Sequence, residues 1–122
     1  MKKAAAFCEV SRWKLLKSQL NNLHPEEFQK GFASKDAILI DVRTAEEFAT
    51  GHLPGAMNLD YFAYEFIDQL EELDVNANYF VYCRSSRRSL RACTLMRNGG
   101  FKNIFHLDGG LVAWQDAGLA VG

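Results

Sequence analysis

Cysteine is scarce in this chain, and its spacing excludes two common uses. Cys8, Cys83 and Cys93 are an odd number in 122 residues, with no Cys-x-x-Cys pair, and His24, His52 and His106 are scattered. Neither a disulfide framework nor a structural metal site is expected, and a reducing, cytoplasmic setting is. Long apolar runs are missing too: none approaches the roughly 20 residues of a membrane span. At the start, "MKKAAAFCEVSRW" has two lysines, but Glu9 ends its apolar run too early for an export signal. An excess of charge of one sign is also lacking. Fourteen Lys and Arg against fifteen Asp and Glu leave a net charge of −1, which gives no reason to expect nucleic acid or an anionic membrane as partner. One local absence breaks this balance: from Val75 to Leu107 there is no Asp or Glu at all.

What is present suits one domain, long enough for a core but too short for two. No repeat, low-complexity tract or interdomain linker interrupts it. In residues 1–20, Phe7, Val10, Trp13, Leu16 and Leu20 recur at near-helical spacing, which predicts an amphipathic helix as an N-terminal extension. Residues 21–122 carry the regular pattern. His24 and Pro25 open a helix, with Pro25 at its first position. "AILIDV" is an apolar, β-branched run of the kind buried on both faces of a parallel sheet. Thr44 and Glu47 form a capping box for a short helix, and Pro54-Gly55 marks a turn. Ala56–Leu59 reads as a brief strand, 60–73 as a helix, "YFVY" as a buried strand, 89–98 as a helix, "NIFHL" as a strand and 111–117 as a last helix. Alternating strands and helices predict an α/β domain with a mostly parallel central sheet.

The chemistry concentrates in "VYCRSSRRS". Cys83 ends a strand, where open α/β sheets place ligands. The helix that follows turns unpaired N–H groups and its positive dipole end toward the loop. Arg84, Arg87, Arg88 and Arg91 add fixed charge in the segment without acids. Each of these features stabilises a thiolate over a thiol and attracts a small oxyanion. A thiolate beside an anion pocket is a nucleophile prepared for an anionic leaving group. The competing reading is a buried, inert cysteine beside solvated arginines.

Three motifs resemble those of single-domain rhodaneses, the sulfurtransferase family. "IDVRTAEEFATGHLPGAMNL" is similar to the family's first signature, "VYCRSSRRS" to its active loop, and "LDGGLVAWQDAGLAV" to its closing motif. They occur in the expected order over about residues 23–121. The resemblance implies a rhodanese-like domain with a five-stranded sheet flanked by helices on both faces. It implies that Cys83 takes the outer sulfur of thiosulfate or a persulfide donor and holds it as a persulfide. A thiol or cyanide acceptor, possibly on a partner protein, then receives it, without a metal or organic cofactor. Arg84, Ser85, Ser86, Arg87, Arg88 and Ser89 would bind the anionic donor. Ser86 stands where the family loop commonly has Gly, so a positive φ there would carry a cost, and its hydroxyl is expected as a further donor to the pocket.

Two alternatives remain open at this stage. Cysteine phosphatases place an arginine after Cys and five intervening residues; here that position is Ser89, and Arg88 comes one residue early. The loop is thus a residue short for phosphoester or arsenate chemistry. A persulfide-carrying or regulatory interaction module is the other alternative, with Trp13 a candidate docking residue. Asp41, Arg43 and Glu47 are expected as structural support, Asp41 bonding loop amides and Arg43 pairing with Glu47. His52 is expected to satisfy backbone groups, His106 to be part of a strand, and Cys93 and Trp114 to be core.

Overall fold

The computed structural model describes residues 14–34 and 36–122. Residues 14–18 are helical (α1); the rest of the predicted N-terminal helix, with Cys8 and Trp13, lies outside the described residues. Then follow β1 (Asn21–Leu23), α2 (Pro25–Phe32), β2 (Ala37–Asp41), α3 (Ala45–Ala49), β3 (Met57–Asn58), α4 (Phe66–Glu71), β4 (Asn78–Tyr82), α5 (Arg87–Asn98), β5 (Asn103–Leu107) and α6 (Gly110–Asp116). The sheet order is β1-β5-β4-β2-β3, and every pairing is parallel. The expected five-stranded α/β architecture is therefore present.

Strand alternation divides the core into two layers. Ile40, Tyr79, Val81 and Cys83 pack with Phe66 and Leu70 of α4 and with Ala92, Cys93 and Met96 of α5. Leu39, Phe80 and Tyr82 point the other way, onto Phe28 of α2 and Leu111 and Trp114 of α6. Helices thus cover both faces, and β4 lies in the middle with its carboxyl end at Cys83.

Three local expectations need correction. No strand is expected at residues 21–23, yet β1 forms there as an edge strand that, among the described residues, pairs with β5 alone. Residues 60–65 are turns rather than helix, because the Asp60 carboxylate accepts the Phe62 N–H at 2.9 Å and leaves Phe62 68% exposed. Helix α5 starts at Arg87, two residues earlier than expected, because Ser86 supplies the turn into it.

Candidate active site

β4 delivers Cys83 into a short loop, 83–86, that feeds straight into α5. Cys83 is 1% exposed. Its sulfur faces the Ser86 N–H at 3.2 Å, the Ser89 N–H at 3.3 Å and the Ser89 hydroxyl at 3.2 Å. The Ser89 amide belongs to the first turn of α5, where N–H groups have no partner within the helix. The loop therefore offers sulfur two backbone donors and the positive end of a twelve-residue helix.

Ser86 makes this geometry at a cost. Its φ of 130° is the sole positive value at a non-glycine among the described residues, a conformation costing about 1–3 kcal/mol. Its Oγ accepts the Gly109 N–H at 2.8 Å, and its own amide donates to the Cys83 sulfur. The third motif completes the clamp. Leu111 N–H donates to the Cys83 carbonyl at 2.9 Å and Val112 N–H to the Arg84 carbonyl at 3.0 Å. Gly110 has φ +62°, and a Cβ there would lie 2.6 Å from the Cys83 and Arg84 carbonyl oxygens. Gly110→Ala is expected to push α6 off the loop, lowering the melting temperature by several degrees and Cys83 reactivity roughly tenfold. A calorimetric scan with timed thiol alkylation checks both.

The arginines divide by exposure. Arg84, Ser85 and Arg87 are exposed on the loop rim. Arg88 is held by Glu47, with contacts of 2.6 and 3.1 Å, and lies 5.7 Å over the Phe62 ring. That hydrogen-bonded pair pulls the Glu47 carboxyl down to about 2. The expected Arg43–Glu47 pair is thus not formed. Arg43 instead grips Asp41 two residues back, with Nε and Nη2 contacts of 2.7–3.0 Å, and Asp41 also accepts the Arg43 N–H at 2.9 Å. The i,i+2 pair closes on itself at the end of β2, leaving Glu47 on α3 to reach across to α5. A cleft of about 320 Å³ opens beside the loop, lined by Arg43, Glu47, Arg84, Leu111 and Val112 among others. Among the described residues, no group of three His, Cys, Asp or Glu could hold a metal ion, and no helix is long and apolar enough to cross a membrane.

Cys93 lies fully buried in α5, and burial pushes its thiol far up, as suits a core residue. His52 bonds the Phe48 carbonyl through Nδ1 at 2.9 Å. His106 is the residue whose setting the sequence did not reveal. It is buried in β5, yet its Nε2 lies 2.7 Å from the Ser89 hydroxyl and its Nδ1 2.8 Å from Asn22 Oδ1. Its partners are 17 and 84 residues away in sequence, and no local pattern announces them. Burial, the largest influence, lowers its imidazole from 6.5 to about 4. An unfolded chain binds that proton below pH 6.5, whereas the folded one does so only near pH 4. His106 therefore contributes stability that is complete above pH 6.5 and lost as the pH falls toward 4, about 2 kcal/mol between pH 7 and 5. Urea unfolding at those two pH values tests this. Equal midpoints, corrected by a His106→Asn control, would contradict it.

Residues 24–117 match the family model described as a rhodanese-like domain. A protein of Allochromatium vinosum named sulfurtransferase is 30% identical over 103 residues, covering 84% of this chain and 94% of its own. The thiosulfate sulfurtransferase GlpE of Ectopseudomonas mendocina is 29% identical over 98 residues, covering 80% of this chain and 87% of its own. Among solved structures, the rhodanese-related protein of Thermoplasma volcanium superposes with a TM-score of 0.73 at 22% identity, covering 84% of this chain and 97% of its own. Sheet order, cysteine loop and relatives converge, and the chain belongs to the rhodanese-like sulfurtransferase family.

Proposed function

We propose that this protein transfers a sulfane sulfur from a small anionic donor, such as thiosulfate or a persulfide, to a thiol or cyanide acceptor. Cys83 is the nucleophile and carries the sulfur between the two. The observation that carries this reading is the cradle of Cys83 Sγ: two N–H groups within 3.3 Å at the head of α5. Such donors stabilise the attacking thiolate and then the persulfide anion that replaces it.

In the first half-reaction the Cys83 sulfur attacks the outer sulfur of the donor. The new S–S bond takes the place of the one to the leaving group, and with thiosulfate the departing anion is sulfite. In the second, the acceptor attacks the terminal sulfur and Cys83 leaves as thiolate, so no net oxidant is needed. Arg84, exposed at the rim, would meet the donor's anionic end, and Arg88, held by Glu47, would add charge at the edge of the loop. The loop from Cys83 to Arg88 is a residue short of the phosphatase pattern, which favours sulfur transfer over phosphoester hydrolysis.

The deciding experiment measures thiocyanate formation from thiosulfate and cyanide beside hydrolysis of an aryl phosphate. Turnover of the first and none of the second is expected. Hydrolysis without thiocyanate would transfer the cysteine to phosphatase chemistry. Binding of persulfide donors without turnover would make the chain a carrier or interaction module.

A further inference from the structure

The Cys83 sulfur is one end of a buried hydrogen-bond chain, Cys83 Sγ–Ser89 Oγ–His106 Nε2, His106 Nδ1–Asn22 Oδ1, with successive separations of 3.2, 2.7 and 2.8 Å. The direction of each proton follows from the donors available. The Asn22 amide nitrogen is committed to the carbonyls of Lys17 and Leu20, at 2.7 and 3.2 Å, so its oxygen faces the imidazole. An oxygen acceptor there requires the proton on Nδ1 and leaves Nε2 as a bare lone pair. Nε2 must then accept from Ser89. The Ser89 hydroxyl has one proton and three neighbours: Nε2 at 2.7 Å, the Ser86 carbonyl at 3.2 Å and Cys83 Sγ at 3.2 Å. The Ser86 carbonyl already has a donor in the Leu90 N–H at 2.8 Å, whereas a bare Nε2 would have none. With the hydroxyl proton given to His106, Ser89 turns a lone pair toward sulfur, and the thiol S–H donates to it.

We propose that Ser89 and His106, held in one tautomer by Asn22, form the relay that takes the proton from Cys83 when it attacks. The S–H bond breaks as a new O–H bond forms on Ser89, and the former Ser89 O–H breaks as N–H forms on His106 Nε2. The products are a thiolate and an imidazolium, with no proton gained or lost overall. Every bond in the chain survives, and two of them reverse: Nε2–H donates to Ser89 and Ser89 O–H donates to the thiolate, while Nδ1–H still donates to Asn22. A simple rotation of the Ser89 hydroxyl toward the thiolate would instead strand a buried Nε2 lone pair, which is costly.

Other groups facing His106 act in both directions. Asp108, after β5, and the Ser86 carbonyl favour the imidazolium, while burial and Lys17 of α1 oppose it. Lys17 and Asp108 pair at 2.8 Å. His106 therefore rests neutral, and the charged pair forms as the thiolate is drawn toward the two loop amides. His106 and Asn22 are positioning residues that act through Ser89.

The relay rests on Cys83 being the nucleophile, but its test needs no sulfur donor. Alkylation of Cys83 by iodoacetamide, followed by peptide mapping, is timed at pH 7 and pH 9.5. Ser89→Ala and His106→Gln are each expected to slow it roughly tenfold at pH 7, the effect of losing one hydrogen bond to a charged group. The double variant should be no slower than either single one, and all should approach the wild-type rate at pH 9.5, where hydroxide removes the proton directly. Rates at or above wild type at pH 7, or equal slowing at both pH values, overturn the relay. Nitrogen-15 NMR of wild-type His106 decides the matter even where His106→Gln does not fold. A neutral ring protonated on Nδ1 is expected, and one protonated on Nε2 refutes the proton order. A protein that loads sulfur without the pH-selective slowing loses the relay alone; one that shows the slowing yet takes up no sulfur loses the sulfur-transfer reading alone.

Discussion

Cys83→Ser is expected to lower thiocyanate formation from thiosulfate and cyanide by at least about 10³-fold, since removing an enzyme's nucleophile costs rate factors of this order or more. The substitution keeps size and leaves the Ser86 and Ser89 amides an acceptor, so the fold should persist. What is lost is a polarisable atom that can attack as a thiolate and form an S–S bond. A serine hydroxyl in the same cradle can do neither. Of the other cysteines, Cys93 is fully buried with its thiol pushed up, and it offers no substitute. Steady-state kinetics alongside a thermal melt checks the expectation. Activity within tenfold of wild type, in a folded variant, would place the nucleophile elsewhere.

Asp41→Ala is expected to have the largest effect on stability. Asp41 is 0% and Arg43 5% exposed, and they meet through several contacts of 2.7–3.0 Å. Arg43 Nη2 also donates to the Gly51 carbonyl at 2.7 Å, tying β2 to the turn after α3. Removing one member strands a buried charge at a cost of about 3–5 kcal/mol, against a total stability of roughly 5–15 kcal/mol for such domains. Urea unfolding should show this. Asp41→Ala combined with Arg43→Met should recover much of the loss, because a paired charge replaced by apolar groups is close to neutral. A loss below about 1 kcal/mol for the single change would mean that the pair is effectively solvated. Because Arg43 lines the cleft beside the loop, the same substitution should also slow donor entry.

The parts of the fold that were legible in the sequence are those set by burial on both faces. "AILIDV" and "YFVY" read as buried strands because their side chains fill two core layers at once; they coincide with β2 and β4 to within a residue, and "NIFHL" coincides with β5. β1 escaped because an edge strand of three residues, two of them asparagines, has no such pattern. The cysteine loop was legible because strand, cysteine, arginines and helix are contiguous. Its supports were not. The Glu47–Arg88 contact spans 41 residues and the Asn22–His106 contact 84, and only the parallel sheet, which lays β1 beside β5 and α3 near α5, brings them together. The short i,i+2 pair of Asp41 and Arg43 was within reach of local reasoning, yet competition for Arg43 between two acids is decided by where α5 places Arg88. Ser86 was singled out for its backbone strain, and the strain is there. Its hydroxyl could be assigned only once Gly109 was seen to lie over it.

Intact-mass spectrometry of the wild-type protein after brief treatment with thiosulfate, with peptide mapping under non-reducing conditions, tests the central claim most directly. One added sulfur atom on the Cys83 peptide, discharged by cyanide and absent from Cys83→Ser, is predicted. A protein that takes up no sulfur from thiosulfate or from organic persulfide donors, or that carries it on Cys93 instead, would contradict the claim.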